Sequence, residues 1–149
     1  MTMRLVTCAA IVLLLCSAMP TVTASATPPD GDVTRTELAK GDTETPVSIT
    51  TDGPTTQIVQ SLSMAPGASS GWHTHPGTEL SVITGGSVAL QTAGTCAPVT
   101  YAAGQAVAIP AGVPHRVAND SGAHAEVVVT YTLPVAAPVR EDAPDMCAG

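Results

Sequence analysis

The alternation of hydrophobic and polar positions divides this 149-residue chain into three parts. Leu5 to Ala18 is an uncharged, mostly apolar run that includes Ile11, Val12, Leu13, Leu14 and Leu15 in succession. Thr27 to Pro46 is polar and acidic, interrupted by Pro28-Pro29, Gly31 and Gly41. From Val47 onward, short runs rich in Val, Ile and Thr alternate with turn residues, the signature of β-strands. The pattern predicts strands at Val47–Thr50, Thr56–Met64, Gly71–His75, Leu80–Thr84, Ser87–Thr92, Val99–Ala102, Ala106–Ile109, His115–Ala118 and Glu126–Leu133, with a further short one near Thr34–Leu38. Punctuation falls at Asp52-Gly53-Pro54, Pro66-Gly67, Pro76-Gly77, Gly85-Gly86, Pro110-Ala111-Gly112 and Asp120-Ser121-Gly122. After the first run no helix-period segment exceeds two turns. Short strands at regular spacing imply an all-β sandwich or small barrel. Gly85-Gly86 fits a tight hairpin turn that needs positive φ.

The first apolar run is too short for a bilayer span, which needs ~20 residues. Arg4 precedes it, Pro20 follows, and Ala24-Ser25-Ala26 supplies small residues. This is the grammar of an export signal, residues 1–26, with cleavage expected after Ala26 or alternatively Ala24. The rest is expected to comprise a polar spacer (27–46), a barrel (47–138) and a C-terminal tail (139–149), with no membrane span left after cleavage. The protein is then secreted, periplasmic or held in the cell envelope.

Charge and cysteine narrow the picture further. Of five basic residues only Arg4 lies in the leader, so four remain against twelve acidic ones. A net charge of about −8 without any Lys/Arg cluster argues against nucleic acid and anionic membranes as partners. Cys8 and Cys16 leave with the leader; Cys96 and Cys147 remain, an even pair suited to a disulfide in an oxidising compartment. Phe is absent and Trp72, Tyr101 and Tyr131 are the only aromatics, so Val, Ile, Leu and Ala must build the core.

The candidate chemistry lies in two segments. One reads Gly67, His73, His75, Glu79, Gly86; the other reads Gly104, Pro110, Gly112, His115, Asn119. His73 and His75 are two apart, which on a strand puts both imidazoles on one face about 7 Å apart along the backbone. Pro76-Gly77 turns the chain so that Glu79 returns beside them, and barrel closure brings His115 over. Imidazoles and a carboxylate suit a divalent transition metal, one of Mn, Fe, Co, Ni, Cu or Zn. By the same alternation Ser81, Ile83 and Val117 should share the interior. Trp72 and Arg116 should face away from it, His124 should be a plain surface residue, and Asn119 should cap a turn.

At all ten of these positions the two segments match the motifs of the cupin family, and the chain resembles small exported bacterial single-domain cupins over roughly Thr56 to Leu133. The resemblance implies a jelly-roll barrel, that is, a double-stranded β-helix. It implies one metal held by His73, His75, Glu79 and His115. It also implies a small-molecule ligand or substrate, and a homodimer formed by adding a strand from Thr34–Thr50 to a neighbour's sheet. The expected activity is that of a metal-dependent oxidoreductase of the dioxygenase or oxidase type. The alternatives are a non-catalytic protein binding a metal and a small carboxylate, or a metal-dependent isomerase or lyase.

Overall fold

The computed structural model describes residues 28–148. The expected leader, residues 1–26, and its cleavage point lie outside them. Pro28 to Arg35 is exposed and without regular structure, and a compact unit begins at Thr36. Its elements in chain order are β1 (Thr55–Met64), β2 (His73–Thr74), β3 (Thr78–Gly85), β4 (Ser87–Thr92), β5 (Val99–Ala102), β6 (Ala106–Ile109), β7 (His115–Ala118), β8 (Ala125–Pro134) and β9 (Glu141–Asp142). Among the described residues there is no helix.

Two antiparallel sheets form a small jelly-roll barrel. One has the order β1-β8-β3-β6 and the other β5-β4-β7-β2-β9. Chain neighbours are therefore mostly not sheet neighbours. β3 pairs with β8, so that Glu79 lies opposite Tyr131 and Ser81 opposite Val129. β2 pairs with β7, with His73 directly opposite His115.

Alternation along the strands decides what faces inward. On β3, Glu79, Ser81 and Ile83 are buried while Leu80 and Val82 are only partly so. On β8, Ala125, Val127, Val129, Tyr131 and Leu133 turn inward. These join Met64 and Val88 in one cluster, Ile83 and Leu133 being almost completely enclosed.

Three expectations change. Gly85-Gly86 does not close a hairpin: β3 and β4 belong to different sheets, and the glycines form a corner between them. Gly86 has φ +64°, and a Cβ there would lie 2.4 Å from the His124 carbonyl oxygen. Val47–Thr50 and Thr34–Leu38 form no strands, and neither pairs with either sheet. Val47, Ile49 and Leu38 stay exposed. The spacer instead touches the barrel through Asp42, which bridges Gln105 in parallel. In the tail, Glu141 and Asp142 form β9 against β2.

The expected disulfide is present. Cys96, in the turn between β4 and β5, is bonded to Cys147 near the C-terminus.

Candidate metal centre

Each member of the site is delivered by a separate device. His73 sits on β2 and His75 just after it, while the Gly112 amide bonds the His75 carbonyl oxygen at 2.8 Å and fixes that exit. His115 opens β7. Glu79 comes from the opposite sheet after the Pro76-Gly77 corner. No side chain fits at Gly77, where a Cβ would stand 1.9 Å from the Thr132 carbonyl oxygen. The four side chains meet between the sheets, all buried.

Their ligand atoms lie within 4.8 Å of one another. The imidazole centroids are 4.8 Å apart for His73 and His75, 4.3 Å for His73 and His115, and 5.2 Å for His75 and His115. Every ring is oriented by a backbone carbonyl. His73 Nδ1 donates to Gly71 O at 2.9 Å and His115 Nδ1 to Val113 O at 2.9 Å, while His75 Nδ1 donates to Val139 O. A carbonyl only accepts, so the proton of each neutral ring is on Nδ1 and the Nε2 lone pair is left bare. Ser81 Oγ donates to Glu79 Oε1 at 2.6 Å, turning Oε2 toward the histidines.

The inner face of this arrangement lacks something positive. His75 Nε2 is 2.9 Å and His115 Nε2 3.3 Å from Glu79 Oε2. Yet neither buried nitrogen has a hydrogen-bond partner. With Nδ1 protonated, lone pairs of nitrogen and oxygen face one another, which is costly unless a proton or cation lies between them. The ionisation equilibria respond to the same geometry. Burial opposes a charge on His75, but the Glu79 carboxylate beside it outweighs that and raises its pKa. Glu79 is itself desolvated, yet the His115 and His75 rings beside it and the hydrogen bond from Ser81 hold it well below the usual carboxylate range. His73 is lowered to about 4, chiefly by burial. Three oriented nitrogens and one carboxylate oxygen fit a divalent transition metal.

A cavity of about 200 Å³ adjoins the cluster. Ser81, Ile83 and Val117 line it, and most of the remaining wall is Val, Leu and Ile. Trp72 and Arg116 are not in the wall. Trp72 is buried elsewhere, and Arg116 bonds Gln91 Oε1 at 2.9 Å. His124 is exposed and distant from the site. Asn119 is fully buried and caps its turn, donating to Met64 O and Ala123 O and accepting from Ser121.

Three residues of the site have no counterpart in the motif reading. Tyr131, on β8, lies with its ring 4.7 Å from that of His75 and lines the cavity. Burial, and then the nearby charge of Glu79, push its phenol up to about 12. Val139 and Arg140, from the tail, also line the cavity. The signal for Tyr131 is the period-2 pattern of Glu126–Leu133, which sets it on one face with Val127 and Val129; nothing in the tail sequence signals the other two.

The family model described as a cupin domain matches residues 61–131. The chain carries a cupin domain. Comparison with solved structures agrees on the fold of this cupin. The polyketide cyclase RemF from Streptomyces resistomycificus superposes with a TM-score of 0.54 at 20% identity, over 62% of this chain and 64% of that one. A structure of the DMSP lyases RdDddP and RnDddQII gives 0.52 at 19% identity, over 59% of this chain and 44% of that one. The cupin therefore spans less than two thirds of the length of either. No curated protein matches the sequence.

Proposed function

We propose that this cupin binds one divalent transition metal through His73, His75, His115 and Glu79, and that it acts as a metal-dependent oxidoreductase on a small organic anion. The observation that carries the reading is the convergence of bare, buried imidazole nitrogens on a carboxylate oxygen beside a mostly apolar cavity. Those four residues would hold the metal, which would supply Lewis acidity or redox chemistry with O₂. The chain's own residues then bind and orient. Arg140 is the one Lys or Arg lining the cavity, so an anionic group on the ligand has a partner there. The aliphatic wall accepts the ligand's apolar part and excludes water. Tyr131 keeps its proton at neutral pH and can donate a hydrogen bond beside His75.

A second reading, binding without turnover, draws support from the same wall. Outside the four proposed ligands, the titratable residues lining the cavity are Tyr101, Tyr131 and Arg140, with no further carboxylate or histidine to serve as a base. The cyclase and lyase structures share the fold alone, so they leave an isomerase or lyase as the third possibility. Export is supported by the Cys96–Cys147 disulfide, and no helix among the described residues is long and apolar enough to cross a membrane.

Elemental analysis of protein recovered from its native compartment, followed by O₂-electrode assays with small carboxylic acids, tests the proposal. Metal-dependent O₂ uptake that His115→Ala abolishes supports the oxidoreductase. Substrate conversion without O₂ uptake supports the isomerase or lyase, and saturable uptake of a carboxylate without conversion supports the binding protein. Protein free of transition metal overturns all three.

A further inference from the structure

The tail after β8 is weakly anchored for a segment that builds part of the site. No residue from Pro134 to Ala148 is buried. β9 is only two residues long, and both are exposed. The non-covalent ties are few. The Val135 amide donates to Pro54 O at 3.4 Å, the Ala143 amide to Trp72 O at 3.0 Å and Arg140 Nη1 to Ser70 O at 2.7 Å, β9 pairs with β2, Val139 O accepts from His75 Nδ1, and the half-buried Val139 side chain packs on the core. Ordering one residue costs about as much as one net hydrogen bond returns, so this handful of bonds does not hold some fourteen residues in place. What closes the segment is the covalent bond from Cys147 to Cys96, in the turn after β4.

The pinned segment touches the site at two points. Val139 O is the acceptor that fixes His75 as the Nδ1–H tautomer and aims its Nε2 inward. Arg140 lines the cavity. β9 also pairs directly with the strand that carries His73, placing Asp142 opposite it.

We propose that the Cys96–Cys147 disulfide is a latch for the metal site: it holds the tail whose Val139 carbonyl orients His75 and whose Arg140 forms part of the cavity wall, so that breaking it loosens the metal and opens the cavity. A dithiol reductant breaks it by exchange: the reductant's two thiols become a disulfide, and Cys96 and Cys147 each gain a hydrogen as free thiols. Without the latch the tail detaches, His75 loses its carbonyl acceptor, and its ring is free to turn or to move its proton to Nε2, where it cannot ligate. The barrel should persist, because its buried core lies in β1, β3, β4 and β8 and loses only the packing of the half-buried Val139. Tight metal retention is thereby tied to an oxidising compartment. The metal part of this inference rests on the proposed metal site; the tail part does not.

The test compares the oxidised full chain, the same protein treated with a dithiol, and the double variant Cys96→Ser/Cys147→Ser. Three readouts are taken: amide exchange at Ala143 with β8 amides as internal control, the His75 tautomer by ¹⁵N NMR of the metal-free protein, and Co²⁺ affinity by chelator competition. The expected result is rapid exchange at Ala143 with β8 still protected, and an Nε2–H population at His75. Co²⁺ should bind 10- to 100-fold more weakly, the usual effect of losing a hydrogen-bond partner behind a metal ligand. Retained protection at Ala143 and an unchanged tautomer overturn the latch, whatever happens to Co²⁺. If Co²⁺ binds in none of the three samples, the metal site is refuted, and exchange and tautomer still decide whether the tail is latched. Should the double variant not fold, the dithiol-treated wild type decides between the two outcomes by the same three readouts.

Discussion

Removing His115 should uncouple stability from metal, and the size of the effect follows from the size of the fold. Its ring is about 1% exposed, its Nδ1 is held by Val113, and its Nε2 faces Glu79. A metal that binds only the folded chain stabilises it by about 4 kcal/mol at a free concentration 1,000 times its Kd. The compact unit, Thr36–Gly149, has 114 residues. At about 2.1 cal/mol/K per residue its unfolding entropy is roughly 0.24 kcal/mol/K, so each kcal/mol moves Tm by about 4 °C. Saturating metal should therefore raise the Tm of the wild type by about 17 °C, and a chelator should reverse it. His115→Ala leaves two imidazoles and the carboxylate, and its Tm should shift by no more than a few degrees under the same additions. His124→Ala, outside the site, should behave as wild type. The assay is scanning calorimetry of chelated and metal-loaded samples at pH 7. An equal metal-induced shift in His115→Ala and wild type would refute the assigned site.

The pH dependence of metal binding should report the site's asymmetry. His75 has a raised pKa, so metal has a proton to displace there, whereas His73, lowered to about 4, is already neutral. Fewer than three protons should therefore be released per metal between pH 5.5 and 6.5 by calorimetry in buffers of different ionisation heat, and a count of three would contradict the geometry. In the metal-free protein, unfolded His73 takes up a proton near ~6.5 but folded His73 only near 4, so its contribution to stability is present above 6.5 and is lost as pH falls toward 4. Urea unfolding of wild type and His73→Asn at pH 7 and pH 4.5 should show a smaller pH-induced loss in the variant. Tyr131→Phe should keep its metal and lower turnover of the eventual substrate by ~10²-fold, the low end for a lost proton donor; loss of metal instead would make Tyr131 structural. Ile83→Ala, at a fully enclosed position, should cost about 2–5 kcal/mol, and a loss under 1 kcal/mol in urea would mean the core collapses around it. The mature chain should begin at Thr27 by intact mass and run as a dimer by light scattering.

Local chemistry determined a good deal of this protein. Alternation of Val, Ile and Thr with Gly and Pro requires strands, and eight of the nine predicted from Val47 onward form, differing mainly at their ends. The i, i+2 spacing of His73 and His75 and the corner at Pro76-Gly77 are properties of a few consecutive residues, so their convergence with Glu79 was readable before any fold was known. Cys96 and Cys147 paired, and no other cysteine lies among the described residues. The tertiary structure decided what depends on partners distant in sequence. Val47–Thr50 has strand propensity but pairs with neither sheet, and propensity alone does not make a ladder. Gly85-Gly86 reads as a hairpin by its residues, yet each flanking strand finds a better partner elsewhere, so the turn becomes a corner. Tyr131 stands opposite Glu79 because of the β3–β8 register, set across some fifty residues of chain. Val139 contributes only a backbone carbonyl, which every residue possesses, so no side-chain pattern marks it. Its role exists because a distant disulfide and a two-residue strand bring that carbonyl to His75.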